Sequence, residues 1–458
     1  MLKKSALLFW NKILENNDYW LTRFVFLRIL GIVYFFAFLS LAHQVVPLIG
    51  EQGLLPANTF LDSIGGHFEN RLDAFIQFPT LFWFHLSDQL LITLAWVGVV
   101  LSIIVIIGYA NSLLLFFLWF LYLSFVTIGQ LFYGYGWEIQ ILETGFLALF
   151  FCPLFDVRPF PKTKPPIVII WLLRWLTFRI YVGAGLIKLR ADRCWRDLTC
   201  LYYHYETQPI PNPLSPSFHF LPTLVHKFGV LFNHFVELIV PAFIFSKRNL
   251  RHIAGILLIF FQVILIFSGN LSLLNWITIA AIISCFDDQF LRRILPSVIV
   301  RKADHAIKHS KTNTAQNVIS IILLFIIIIL SFAVVQNLLS SRQIMNTSFD
   351  RLHLVNTYGA FGSVGKIRNE LIIEGTYDEI ITDETQWNEY EFKAKPGSLK
   401  RNLPFVAPYQ YKIDWQIWFS AMSIPEREPW LVHFVWKLLN NDPHTLRLIE
   451  NNPFEDKP

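Results

Sequence analysis

The chain has 458 residues, of which 54% are hydrophobic and only 16% charged, with 44 phenylalanines and a net charge of +5. Soluble proteins carry nearer ~25% charged residues, so an ordinary soluble enzyme is excluded and a multi-spanning membrane protein is indicated. The basic residues sit in short loops between apolar runs, where they set orientation and imply no nucleic acid, and four cysteines are too few for a disulfide scaffold.

In chain order, residues 1–20 carry Lys3, Lys4 and Lys12 among Leu, Phe and Trp and predict an interfacial amphipathic lead. No cleavable signal is expected over 1–18. Spans are expected at about 24–46, 90–109, 113–132, 137–155, 167–189 and 230–245. The run 253–286 is too long for one span and is split at Ser268-Gly269-Asn270 into two, and a last span covers 318–338. That gives about nine transmembrane helices, near the ~20 residues each that a bilayer needs, within a polytopic domain over 21–338. The prolines of 156–166 prevent a helix there.

Loop charge then sets orientation. With the N-terminus cytoplasmic, Arg158, Lys162 and Lys164, then Lys247, Arg248 and Arg251, then the basic residues of 287–317 fall inside, and the acidic segment 51–88 falls outside. Arg190, Arg193 and Arg196 are exceptions on the outer side, with Asp192, Asp197 and Glu206 as their expected partners. An odd number of spans places 339–458 in the periplasm or lumen. Alternation in 353–358, 369–376 and 387–393 predicts short strands there, and 428–439 and 444–450 predict amphipathic helices. The expected fold is thus a polytopic α-helical membrane protein with a C-terminal, extracytoplasmic, β-rich soluble domain closed by short helices.

The chemistry concentrates in 181–213, which follows the small residues Gly183, Ala184 and Gly185 with Lys188, an Arg/Asp/Trp/Cys cluster, tyrosines, His204 and Glu206. Lys188, His204 and Glu206 are candidate catalytic groups around a cavity; the alternative is a snorkelling lysine and an interfacial aromatic belt. An intramembrane polar cluster comprises Glu138, Glu143, Arg174, Arg179, His234 and Glu237. Charges at membrane depth are costly, so these face the bundle interior, either lining a polar cavity or pairing between helices. Glu138 and Glu143 are five apart and do not share a helix face. His234 and Glu237, three apart, do, and form with Glu143 either a metal or acid–base site or a structural contact. Cys194 and Cys200 lie on the outer, oxidising side; a disulfide and a helical spacing that parts the sulfurs both stay open. No GxSxG, HExxH, P-loop or zinc-finger spacing occurs, and no metal or cofactor is expected.

Four blocks carry a family resemblance. WRDLTCLYYHYETQPIPNPLS, with Trp195, Arg196, Asp197, Tyr203, His204, Tyr205, Glu206, Gln208 and Pro209, resembles the signature of the lipase maturation factor family. GWEIQILETGFLALFFCP, the HFVELIVPAFIF and FSGNLSLLNWITIA segments, and the tail runs EGTYDEIITDETQWNEYEFKAKPG, PFVAPYQYKIDWQIWF and NPFEDKP resemble its other blocks, in order. The resemblance implies a polytopic, chaperone-like protein that assists folding of an immature secreted client such as a lipase. Its location would be the endoplasmic reticulum membrane in a eukaryote or the inner membrane in a bacterium. Trp415, Trp418 and Phe419 are then either client contacts or core. A second, local similarity links YVGAGLIKLRADRCW to the vitamin K-dependent gamma-carboxylase family, whose catalytic lysine matches Lys188; it implies a membrane enzyme acting at the outer face. A transporter is disfavoured by the large extramembrane tail and the lack of a broken-helix repeat.

Overall fold

The computed structural model describes residues 18–454. The amphipathic lead expected over 1–20 therefore lies, apart from 18–20, outside the described residues. Six helices among the described residues are long and apolar enough to cross a membrane: Trp20–Ile49, Asp88–Ile107, Ile167–Arg190, Thr223–Phe245, Arg248–Ser268 and Thr314–Leu339. Ser112–Ile128, Gly136–Phe151 and Leu274–Cys285 are shorter. These helices fall on the nine apolar segments read from the sequence.

Their starts are set by short polar side chains. Ser87, Asn111 and Asn313 accept hydrogen bonds from the backbone N–H groups of Leu90, Leu114 and Gln316, supplying partners that a helix N-terminus lacks. The first helix lies flush against Asp88–Ile107. A Cβ at Gly98 would come within 2.3 Å of the Phe38 ring, so only glycine permits this approach.

Contacts between loops sort into two sets at opposite ends of the helices. At one end Asp288 accepts from the N–H groups of Trp20 and Leu21, the Lys311 N–H donates to the Lys162 carbonyl, and Arg248 pairs with Asp287 at 2.9 Å. At the other, Gln416 donates to the Leu131 carbonyl, Trp418 to that of Thr207, and Arg368 to that of Pro209.

The tail corrects the sequence reading. Its sheets are three minimal antiparallel pairs: Thr347–Ser348 with Asn356–Thr357, Glu374–Gly375 with Asn388–Glu389, and Glu391–Phe392 with Ile449–Asn451. The region has small sheets rather than a continuous one, because its chain spends hydrogen bonds on the helices instead of on neighbouring strands: the Asn356 N–H donates to Glu143. Pro429–Leu439 is helical as expected. Residues 444–450 are not a helix but one tight turn, Leu446–Leu448, leading into the strand Ile449–Asn451. So short a helix would carry few internal bonds, and pairing with Glu391–Phe392 replaces it. An additional helix, Lys412–Ser420, is buried on nearly every side and so lacks the polar face that would reveal it.

Candidate functional site

Lys188 lies in the last turn of Ile167–Arg190 and is buried. Its partners come from Thr223–Phe245, whose backbone widens over Phe235–Ile239 and tightens over Val240–Phe245. Pro241 has no N–H for the Glu237 carbonyl and its ring would crowd that carbonyl, so a regular helix cannot continue here. Gly185 lets the two helices close: a Cβ there would sit 2.6 Å from Leu238 Cδ2 and 3.0 Å from Glu237 Cβ. Glu237 is thereby brought to Lys188.

The result is a closed set of bonds. Lys188 Nζ donates to Glu237 Oε1 at 2.6 Å and to Asn233 Oδ1 at 3.0 Å, while Asn233 Nδ2 donates to Glu237 Oε2 at 2.8 Å. The Trp195 ring caps the ammonium, its centroid 4.9 Å from Nζ. His234 faces the Trp195 backbone, Nε2 donating to that carbonyl at 3.0 Å. Lys188 is therefore neither snorkelling nor free, and both carboxylate oxygens of Glu237 are engaged.

Beside this set lies a cavity of about 150 Å³, with Lys188, Asn233, Glu237, His204 and Gln140 among its polar walls and Phe232, Phe261, Leu265 and Leu271 among its apolar ones. The tail contributes to the enclosure with Tyr358, Gly359, Ala360 and Phe361. Trp195 Nε1 donates to the Phe361 carbonyl at 2.9 Å, and Gly183 lets the Tyr358 backbone lie directly on the helix, where a Cβ would be 2.4 Å from its oxygen. His204 is buried against the Phe361 ring, centroids 4.7 Å apart. Burial, with the Lys188 charge adding to it, pushes the His204 imidazole down to about 4, so it is neutral near pH 7.

Of the three catalytic candidates, Lys188 and His204 share the cavity and Glu206 does not. Glu206 is exposed and points to His219, with Oε2 3.8 Å from Nε2. The intramembrane cluster also divides. Glu143 pairs with Arg179 and accepts from the Asn356 N–H and the Tyr358 hydroxyl of the tail. Glu138 accepts from Tyr122, from Trp137 Nε1 and from Lys412 of the tail. Arg174 donates to the Ser284 carbonyl and to the Tyr19 hydroxyl. Glu143, His234 and Glu237 thus have separate partners and do not converge. Among the described residues no group of three or more His, Cys, Asp and Glu could hold a metal.

The signature loop is anchored through its backbone. Arg368 donates to the carbonyls of Glu206, Gln208 and Pro209, and Gln208 Nε2 donates to those of Tyr205 and Ser268. Tyr203 faces Lys366. Cys194 and Cys200 are joined as a disulfide. Of Arg190, Arg193 and Arg196, Arg193 alone pairs among the described residues with an expected acidic partner, Asp197 at 3.1 Å. Arg190 instead donates to the Leu338 carbonyl and the Gln343 side chain, and Arg196 is exposed. Asn233, Gln140, Asn356, Tyr358 and Lys412 escape a reading of single motifs. Only Asn233 carries a signal, four residues before Glu237 on one face.

Comparisons with known proteins agree along the chain. The lipase maturation factor transmembrane domain matches residues 21–293 and the lipase maturation factor C-terminal domain matches 354–458. Lipase maturation factor 1 of Bos taurus is 45% identical over 465 residues, covering 97% of this chain and 83% of that protein. The Homo sapiens protein of the same name is 43% identical, covering 97% and 82%. Lipase maturation factor 2 of Xenopus laevis is 30% identical over 560 residues, covering 96% and 77%. No solved structure matches. These findings do not favour the gamma-carboxylase-like reading. With both domain descriptions matched and relatives above 40% identity over nearly its whole length, the chain belongs to the lipase maturation factor family.

Proposed function

We propose that this protein is a multi-pass membrane maturation factor that assists folding of secreted lipases, with no chemistry of its own at Lys188. The single observation that carries this reading is the 45% identity to a lipase maturation factor over 97% of the chain. The geometry supports it. Lys188 has its donors committed to Glu237 and Asn233 under Trp195, an arrangement suited to joining helices rather than to abstracting a proton. The protein resides in the endoplasmic reticulum membrane, or in the inner membrane of a bacterium. Nine spans over 21–338 and a cytoplasmic N-terminus put 339–458 on the lumenal or periplasmic side. The Cys194–Cys200 disulfide and the basic residues at the opposite helix ends fit that orientation.

The client-binding face is the outer one, where the tail and the signature loop are tied together. Trp415 is excluded from it, being buried against Tyr135 and Trp137. Phe419 and the exposed stripe of Val432, Trp436 and Leu439 remain available. In cells lacking the protein, a co-expressed secreted lipase should accumulate in normal amount but lose activity, and the full chain should restore it. Phe419→Ala with Trp436→Ala should restore much less while remaining stably inserted. Full lipase activity without the protein would sink the reading. A cysteine placed at exposed Ser398 should react with an impermeant thiol reagent only when the lumenal or periplasmic side is opened.

A further inference from the structure

Among the described residues, two side chains on the walls of the cavity beside Lys188 leave hydrogen-bonding capacity unused. Among the described residues the His204 side chain makes ring contacts with Tyr205 and Phe361 but no hydrogen bond, although it is only 5% exposed. Gln140 is fully buried and donates to Thr278 Oγ1, yet its Oε1 has no donor. Leaving a buried polar atom unpaired is costly, so such atoms are normally satisfied by water or by a ligand.

The electrostatics narrow the ligand. Lys188 and Glu237 cancel, both Glu237 oxygens are occupied, and the imidazole is uncharged near pH 7 because burial and the Lys188 charge hold its proton affinity down. An ionic head would bring a charge with nothing to pair it. The remaining wall is apolar. On the side of Thr223–Phe245 and Arg248–Ser268 it consists of Phe232, Ile264 and Leu265, which are only half-buried. Their neighbours Phe228, Leu231 and Phe260 are exposed where bilayer acyl chains would lie. The cavity is thus one side chain away from lipid, and its volume of about 150 Å³ is on the order of a single ring or short chain segment, too small for two acyl chains.

We infer that this cavity binds a neutral single-chain lipid, its uncharged hydroxyl or ester head hydrogen-bonded by His204 and its acyl chain leaving between Phe232 and Leu265. This binding does not depend on the client reading above.

The test uses the purified full chain in phospholipid nanodiscs with a monoacylglycerol carrying a photoreactive group in its chain. Labelled positions are read by peptide mass spectrometry. Labelling is expected to concentrate on 229–237 and 258–271, and unlabelled monooleoylglycerol should compete it away, whereas oleate and lysophosphatidylcholine should not. Filling the cavity by Leu265→Trp, or by Leu271→Phe should the first variant fold poorly, should cut that labelling roughly tenfold and leave labelling of Thr314–Leu339 unchanged. His204→Phe should weaken competition by roughly tenfold, the worth of one buried hydrogen bond. Labelling spread evenly over lipid-facing helices, equal competition by oleate, or full labelling in a folded cavity-filled variant would each overturn the assignment.

Discussion

Lys412 and Glu138 form an ion pair at 2.7 Å, with the two side chains 2% and 0% exposed, between the tail and the interior of the helical bundle. Tyr122 and Trp137 also donate to this carboxylate. Removing one partner of such a pair leaves the other charge buried and unpaired. Lys412→Met should therefore destabilise the protein by about 3–5 kcal/mol, and Lys412→Met combined with Glu138→Gln should recover most of the loss. Thermal unfolding of the detergent-solubilised variants measures both, and equal losses in the single and double variants would contradict the pairing.

The Lys188–Glu237 pair obeys the same arithmetic in a different place. Lys188→Met should cost about 3–5 kcal/mol, since Asn233 alone would then face the Glu237 carboxylate. Adding Glu237→Gln should restore most of it. A thermodynamic cycle of the two single changes and the double change reads the coupling, which a free, snorkelling lysine would not show.

His204 makes stability depend on pH. Its folded value, about 4, lies below the ordinary 6.5. The unfolded chain therefore takes up the proton first, so the contribution is present above pH 6.5 and is lost as pH falls toward 4. The full effect is on the order of 3 kcal/mol, at about 1.4 kcal/mol per unit. Melting temperature measured from pH 7 to pH 4 should fall less steeply in His204→Phe than in the unaltered protein; parallel curves would refute the burial argument.

Gly183 should tolerate no side chain. A methyl group there meets the Tyr358 carbonyl oxygen, a backbone atom that cannot rotate away. Gly183→Ala should cost about 1–3 kcal/mol as an overpacked contact. Limited proteolysis should cut its tail faster than that of the unaltered protein, while Ala184→Gly at the neighbouring position should not reproduce this.

The Cys194–Cys200 bridge closes a loop spanning a sequence separation of 6. In the chain-entropy account so short a loop is worth roughly 2 kcal/mol. Cys200→Ala should lower stability by about that amount, and non-reducing peptide mapping should find the two cysteines linked in the unaltered protein.

The helices were legible because their signal is local. Twenty or so apolar residues, bounded by polar caps such as Ser87, Asn111 and Asn313, need no knowledge of the rest of the chain. Small residues such as Gly183 and Gly185 before Lys188 are visible locally too, and the structure uses both positions for close approach. What stayed hidden was long-range. Nothing in the run KIDWQIWF marks Lys412 as the partner of Glu138, and Glu206 reads as a site residue until the 201–207 helix turns it outward to His219. The tail misled in a third way. Short alternating runs such as 353–358 signal strands, but only Asn356–Thr357 pairs, and the N–H of Asn356 goes to Glu143 rather than to a further strand.

Lys412 follows Glu138 by 274 positions, and Asn356 follows Glu143 by 213. Both carboxylates stand on Gly136–Phe151, which is synthesised long before the tail residues that bond them. The bundle consequently cannot reach its final packing helix by helix from the N-terminus. It waits, with two acidic side chains short of partners, until the last quarter of the chain arrives and folds back onto it. The contacts that complete the bundle therefore depend on residues made as late as Lys412.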